Sequence, residues 1–366
     1  MRPRHLQLRA ARHWARFLVA FAVVMAVASC TAPPPGDYGQ EEGMSKSVPN
    51  PPWFGGYLDV TLTPAVRLQD LPPHGTVTTM LSFIGAHPKQ PCEPSWDGIY
   101  TLDQAGARLG VDGQIGSYRK AGNDVAVSFG GQLGKELAGV CTDAAALSKA
   151  YGSVITRYGL DIVDYDVEGA GLADRSAAQR RAAAVARLQA ARSAGNPLKV
   201  WLTLPVSMQG LTPDGEAAVT AMLDGGVDLA GVNIMVMDFE PLGPGQTMLT
   251  AAKSAAEATH QTLRALYGKA GKPLDEAAAW NRIGLTPMIG VNDVEGQVFT
   301  PEDAAGLNSF AAQRGLGRMS MWSLNRDRPC GPSSRPEPGS NASSGCSGVT
   351  QQRGMFAKVL GKSFTG

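Results

Sequence analysis

The five histidines are scattered with no pair at metal-ligand spacing, and the five cysteines contain no CxxC pair, so a zinc site is not expected. No GxGxxG follows the first apolar run of the folded region, which argues against a dinucleotide-binding crossover. The formal net charge is only +1, and much of the arginine excess sits in the first sixteen residues. Nothing in that balance calls for a nucleic-acid partner. After residue 28 no apolar run reaches the length needed to span a bilayer, and no internal repeat is visible. These absences leave a globular α/β protein as the default, with 43% hydrophobic and 18% charged residues in 366, enough for one large core.

What is present begins at the N-terminus. Arg2, Arg4, Arg9, Arg12 and Arg16 precede an uncharged apolar run from Phe17 to Ala28, the layout of a signal peptide. The run ends Val27-Ala28-Ser29-Cys30, which resembles a bacterial lipobox, with Cys30 expected to carry the lipid. Residues 1–29 are thus expected to be a leader and 30–52, rich in proline, a tether. The mature protein is expected outside the cytoplasm, anchored through Cys30 or secreted. Four cysteines remain, Cys92, Cys141, Cys330 and Cys346, an even number in an exported chain. The pairs expected are Cys92 with Cys141 and Cys330 with Cys346.

From Trp53 to the C-terminus, short apolar runs alternate with Ala-rich amphipathic segments. Strands are expected at 56–62, 78–84, 124–129, 161–168, 199–205, 231–238, 282–289 and 318–323. Helices are expected at 102–121, 144–158, 173–194, 214–223, 247–269 and 302–314. Eight strands with interleaved helices over some 310 residues predict a single (β/α)8 TIM barrel rather than an open sheet.

The fourth strand carries the chemistry. Side chains alternate along a strand, so Ile162, Asp164, Asp166 and Glu168 share one face, and Val163, Tyr165 and Val167 share the other. The apolar set suits the helix layer, which turns the three carboxylates into the barrel. So many like charges cannot all remain ionised, and a proton held near neutral pH suits a general acid. The competing reading, a calcium or magnesium site, fits poorly, because calcium loops place Asn, Gly and carbonyl groups between their acids. Here β-branched residues and a tyrosine intervene.

The run Asp161-x-x-Asp164-x-Asp166-x-Glu168 resembles the DxxDxDxE signature of glycoside hydrolase family 18, the chitinase family. Ser128-Phe129-Gly130-Gly131 resembles its SxGG element, residues 232–239 and 286–293 resemble its sixth and seventh strands, and 319–327 its eighth strand with the family's Trp. The resemblance implies a glycosidase that cuts β-1,4-linked N-acetylglucosamine polymers, with no cofactor. Glu168 would be the proton donor, Asp166 would orient the substrate acetamide, and Asp164 would share a proton with Asp166. It also implies substrate contacts from Trp322, Asp238, Met237, Ser128, Gly130 and Gly131. Met237 stands where many members have Tyr, and a thioether donates no hydrogen bond. Trp96, in a segment read as a loop after the second strand, is a further candidate sugar platform, ahead of Trp53 and Trp201, which read as structural. The partners expected are a GlcNAc-containing glycan and, through Cys30, a membrane; the chain is expected to be a monomer. Endo-β-N-acetylglucosaminidase action on N-glycans, cleavage of peptidoglycan, and a non-catalytic lectin-like barrel are the alternatives. Silent relatives typically lack the final Glu, which is present here.

Overall fold

The computed structural model describes residues 51–72, 78–332, 334–337 and 340–365. The expected leader, Cys30 and all but the last two residues of the tether lie outside the described residues.

Eight parallel strands close into a barrel. The first, β1, is split into Trp53–Phe54 and Tyr57–Asp59. It is followed by β2 (Thr78–His87), β3 (Asp124–Gly130), β4 (Ile162–Asp166), β5 (Lys199–Ser207), β6 (Leu229–Met235), β7 (Ile283–Thr286) and β8 (Arg318–Met319). Each pairs with its sequence neighbour, and β1 completes the ring by pairing with β8 at Trp53 and Arg318 and with β2 at Tyr57 and Met80. The architecture is the (β/α)8 barrel expected from the alternation of runs.

Helix boundaries follow local chemistry. Asp143 caps the helix Ala144–Tyr158 by accepting from the Ala146 N–H, and Gly159 ends it in the left-handed conformation. Its buried residues Leu147, Ala150, Tyr151, Val154, Ile155 and Tyr158 fall at helical spacing and pack on the barrel. Thr300 and Asp303 form a capping box for Pro301–Arg314, with proline in the first turn. The helix expected over 102–121 is two helices, Leu102–Arg108 and Val111–Lys120, separated at Gly110 with φ +68°.

The segment around Trp96, expected to be a loop, is instead the strand Gln90–Trp96, antiparallel to β2. Pro91 and Pro94 hide it from a reading by propensity, since proline cannot donate to a ladder and is usual only at edges. The Cys92–Cys141 disulfide ties this hairpin to the end of the short helix Leu137–Val140, and Cys330–Cys346 is also formed, so both expected pairs are present.

Two indoles lie at the bottom of the barrel interior. Trp53 and Trp201 meet edge to face at 6.0 Å, with Met80, Ala126, Ala230 and Ile162 around them. Room for Trp201 comes from Gly231: a Cβ there would lie 2.4 Å from the indole and 2.6 Å from the Arg282 carbonyl oxygen. Gly231→Ala is therefore expected to destabilise the fold by about 1–3 kcal/mol, the range for overpacking a full core. Thermal unfolding measures it; an unchanged midpoint would show that the indole layer is loosely packed.

Candidate active site

Above the indole layer the inner face of β4 presents Asp164, which is fully buried. Its two oxygens receive four donors. Oδ2 accepts from the Tyr57 hydroxyl at 2.9 Å and the Ser128 hydroxyl at 2.7 Å. Oδ1 accepts from the Thr203 hydroxyl at 2.6 Å and from Arg318 Nη1 at 2.8 Å. With the hydroxyl protons of Tyr57 and Thr203 spent on Asp164, these oxygens accept from others: Tyr57 from Arg318 Nη2 at 3.1 Å, Thr203 from Asn233 Nδ2 at 3.0 Å. Arg318 is itself wholly buried, its guanidinium lying 5.0–5.5 Å from the ring centres of Trp53, Tyr57 and Trp201. The barrel thus encloses one neutral, hydrogen-bonded ion pair.

Two residues further along, Asp166 is 4% exposed at the floor of a cleft, and Glu168 follows half-buried beyond the strand end. Their hydrogen-bonding partners are each other, while Asp164 acts on Asp166 through charge. Donors from four other strands already occupy Asp164, and the charge that acts most strongly on Asp166 is that of Glu168. Burial, then the charges of Glu168 and Asp164, push the Asp166 carboxyl well above the usual range. Burial raises Glu168 from 4.5 to about 7, with the Asp238 charge adding to it and the Asp166 hydrogen bond opposing it. Asp166 Oδ1 is buried and has no hydrogen-bond partner in the protein.

The cleft is lined by Tyr57, Phe83, Gln132, Thr203, Met235, Met237, Asp238, Thr286, Met288, Asp293 and Trp322 as well as the two acids. Trp322 forms its apolar floor, stacked on Phe83 at 5.5 Å. Trp322, Asp238 and Met237 therefore stand beside Asp166 and Glu168, as the sequence led one to expect.

Other candidates fall elsewhere. Ser128 is fully buried and directed at Asp164, below the cleft, so it braces the ion pair and does not face a ligand. Gly130 and Gly131 serve close backbone approach. A Cβ on Gly130 (φ +108°) would lie 1.9 Å from the Asp166 carbonyl oxygen, and one on Gly131 would strike the Phe83 ring at 2.6 Å. Trp96 is wholly buried, with Nε1 donating to the Tyr158 hydroxyl at 3.0 Å; it cannot serve as a sugar platform. Trp53 and Trp201 belong to the barrel core. Sequence reading missed Arg318, Tyr57, Phe83, Gln132 and Asp293. A charged residue opening an expected buried strand was the available signal for Arg318; for the rest only tertiary contact reveals the site. Among the described residues no group of three or more His, Cys, Asp or Glu could hold a metal ion.

An eight-stranded α/β barrel that sets the carboxyls of Asp166 and Glu168 over an aromatic floor, at the carboxyl ends of its strands, defines a barrel of the class that performs acid–base chemistry in its rim cleft. Comparison with known proteins narrows the class. No protein-family model matches the chain. It is 33% identical over 294 residues to "Probable bifunctional chitinase/lysozyme" of Escherichia coli, covering 78% of this chain and 32% of that one. It is 35% identical over 225 residues to "Endochitinase 11" of Metarhizium anisopliae, covering 59% and 42%. The chain thus spans less than half the length of either curated relative. The catalytic domain of the hyperthermophilic chitinase from Pyrococcus furiosus superposes with TM-score 0.72 at 28% identity, over 86% of this chain and 98% of that one. The curated relatives are named as chitinases, and the solved chitinase domain shares this chain's barrel fold.

Replacing Arg318 by Met would leave Asp164 as a buried charge without its cation. Breaking one side of such a pair costs about 3–5 kcal/mol. Urea unfolding of Arg318→Met should show that loss at constant m-value; a loss below 1 kcal/mol would mean that the hydroxyl donors alone hold Asp164.

Proposed function

We propose that the protein is a glycoside hydrolase that cleaves β-linked N-acetylglucosamine polymers with retention, the neighbouring acetamide of the substrate acting as nucleophile. The observation that carries this reading is the unpartnered, buried Asp166 Oδ1 beside a Glu168 whose carboxyl titrates near 7. An acceptor left without a partner in a dry site is costly unless a ligand supplies the donor. An amide N–H on the sugar meets that need, and a glutamic acid protonated near neutrality meets the need for a general acid.

In the first step Glu168 gives its proton to the glycosidic oxygen and the C1–O bond breaks, while the acetamido carbonyl oxygen closes on C1 from the opposite face. The result is an oxazolinium ion, whose N–H faces Asp166. In the second step water attacks C1, its proton passes to the Glu168 carboxylate, and the ring reopens. Two inversions leave the configuration retained. Trp322 offers the apolar C–H face of the sugar a flat partner. Asp238, at the rim, is a further contact to the glycan. Met237 lines the pocket without a hydroxyl to support the acetamido oxygen; the reaction type rests on Asp166 and Glu168, and the missing donor bears on rate.

A second reading, action on peptidoglycan, draws support from the name of the Escherichia coli relative, which joins chitinase and lysozyme activities. Product analysis on chitin oligomers, muropeptides and a high-mannose glycopeptide separates these substrates. Export with a lipid anchor at Cys30 remains part of the proposal. The two disulfides support it, since such bonds persist in oxidising compartments.

Glu168→Gln is expected to abolish release from a fluorogenic chitobioside while binding of chitotetraose persists; unchanged turnover would refute the assignment of the acid. With Glu168 titrating at about 7, kcat should fall on the alkaline side of that value. Linkage gives a second readout. Glu168 binds its proton more tightly in the folded than in the unfolded chain, so wild-type stability declines as pH rises from 4.5 through about 7. Glu168→Gln should lack that decline and be the more stable protein at pH 8; parallel pH–stability curves for the two proteins would contradict it.

A further inference from the structure

Asp238 adopts φ +45°, a left-handed conformation that is uncommon for non-glycine residues and that aspartate adopts more readily than most. Such a geometry persists only where neighbours over-determine it. Those neighbours lie on the turn after β7. Asp238 Oδ1 accepts from the Asp293 N–H at 2.9 Å and the Val294 N–H at 3.3 Å, and its own N–H donates to Asn292 Oδ1 at 3.3 Å. One residue on, Gln297 accepts from the Phe239 N–H at 3.0 Å and returns a bond to the Phe239 carbonyl at 2.6 Å.

The turn is in turn held from outside. The Ser340 hydroxyl donates to Asp293 Oδ1, and Asn341 Nδ2 to the Asp293 carbonyl at 3.2 Å. Arg326, 1% exposed, donates to the carbonyls of Ile289 and Val291 on one side and Ser343 on the other. Its guanidinium thereby joins the post-β7 segment to the chain that ends at Cys346, whose disulfide with Cys330 closes it. Gly290 (φ +75°) lets the Ser347 backbone approach so closely that a Cβ would lie 1.9 Å from its carbonyl oxygen.

We propose that Asp293, Ser340 and Arg326 are positioning residues for Asp238: the disulfide-closed C-terminal segment holds the turn whose amides aim the Asp238 carboxylate into the cleft beside Glu168. The inference rests on the hydrolase reading for its effect on turnover, with Asp238 as the residue that meets the glycan. It makes the C-terminal segment, none of whose described residues lines the cleft, a determinant of how the rim grips its ligand. A serine hydroxyl on a carboxylate is a directional bond, and a misplacement of about 1 Å near reacting groups can cost up to a hundredfold in rate.

The test is a double-mutant cycle on chitotetraose with Ser340→Ala and Asp238→Asn, in the full chain. Ser340→Ala is expected to lower kcat/KM roughly tenfold in the wild-type background, to have no further effect when Asp238 is already replaced, and to be rescued by Ser340→Thr, which keeps the hydroxyl. Equal losses in both backgrounds, or no loss in the wild type, would overturn the proposal. The same cycle is measured as chitotetraose Kd in the Glu168→Gln background. Wild-type protein that binds and never cleaves would end the hydrolase reading while leaving the cycle in Kd to decide this one. A ligand-free arm stands apart from both: Ser340→Ala should speed amide hydrogen exchange at Asp293 and Val294, whose N–H groups hold Asp238, and unchanged exchange there refutes the linkage.

Discussion

The ion pair of Asp164 and Arg318 in the middle of the barrel is the constraint on which the rest depends. A carboxylate taken wholly out of water is stable only with good geometry and every lone pair met. Here the four donors come from β1, β3, β5 and β8, so that meeting them fixes the relative register of half the barrel. The indoles below Arg318 close the bottom of the interior and lie within cation–π distance of the guanidinium, whose Nε has no hydrogen-bond partner. Everything above stands on this plug.

The consequence is a vertical division of charge. Asp164 finds its compensation in the layer it occupies and has none to lend. Asp166, one strand period higher, feels that charge without an equivalent cation of its own, and burial adds to the effect. Glu168 lies past the last strand hydrogen bonds, only half-buried, and burial raises it to about 7 against the opposing hydrogen bond from Asp166. Three acids of similar intrinsic strength on one strand face are thus separated by depth. The same backbone demands explain the glycines of β3: the Gly131 N–H donates to the Asp166 carbonyl at 3.1 Å, an approach that Cβ atoms at 130 and 131 would block.

Much of this was legible in the residues. Alternation in 161–168 put the apolar Val163, Tyr165 and Val167 into the outer core and Ile162, Asp164 and Asp166 inside. The count of eight apolar runs predicted the barrel, and the helix expected over 144–158 is the observed Ala144–Tyr158. The hairpin strand Gln90–Trp96 was missed because Pro91 and Pro94 argue locally against a strand, and the cross-strand partner that overrides them is supplied by β2. Trp96 was misjudged for the same reason: its burial depends on a pairing that no local signal announces. Expected strands at the rim ran too long, as for 231–238 and 318–323, since strands that splay at the carboxyl end lose their ladder while keeping their apolar composition.

The sequence by itself determined which side chains could do chemistry and on which face of β4 they would sit, because the period of a strand and the insolubility of its apolar half leave one orientation. It also set the order of the barrel strands, whereas the pairing of the four cysteines, expected from the chain, was fixed by which of them meet in the fold. Only the tertiary structure decided what surrounds each acid, since Asp164 takes a donor from 154 residues away, and burial with neighbouring charge raises Asp166 and Glu168. It likewise decided that Ser128 braces Asp164 and not a ligand, that Asp238 is held by a turn after β7, and that the C-terminal segment reaches that turn. Those are matters of which surfaces meet, and local preference carries no information about them.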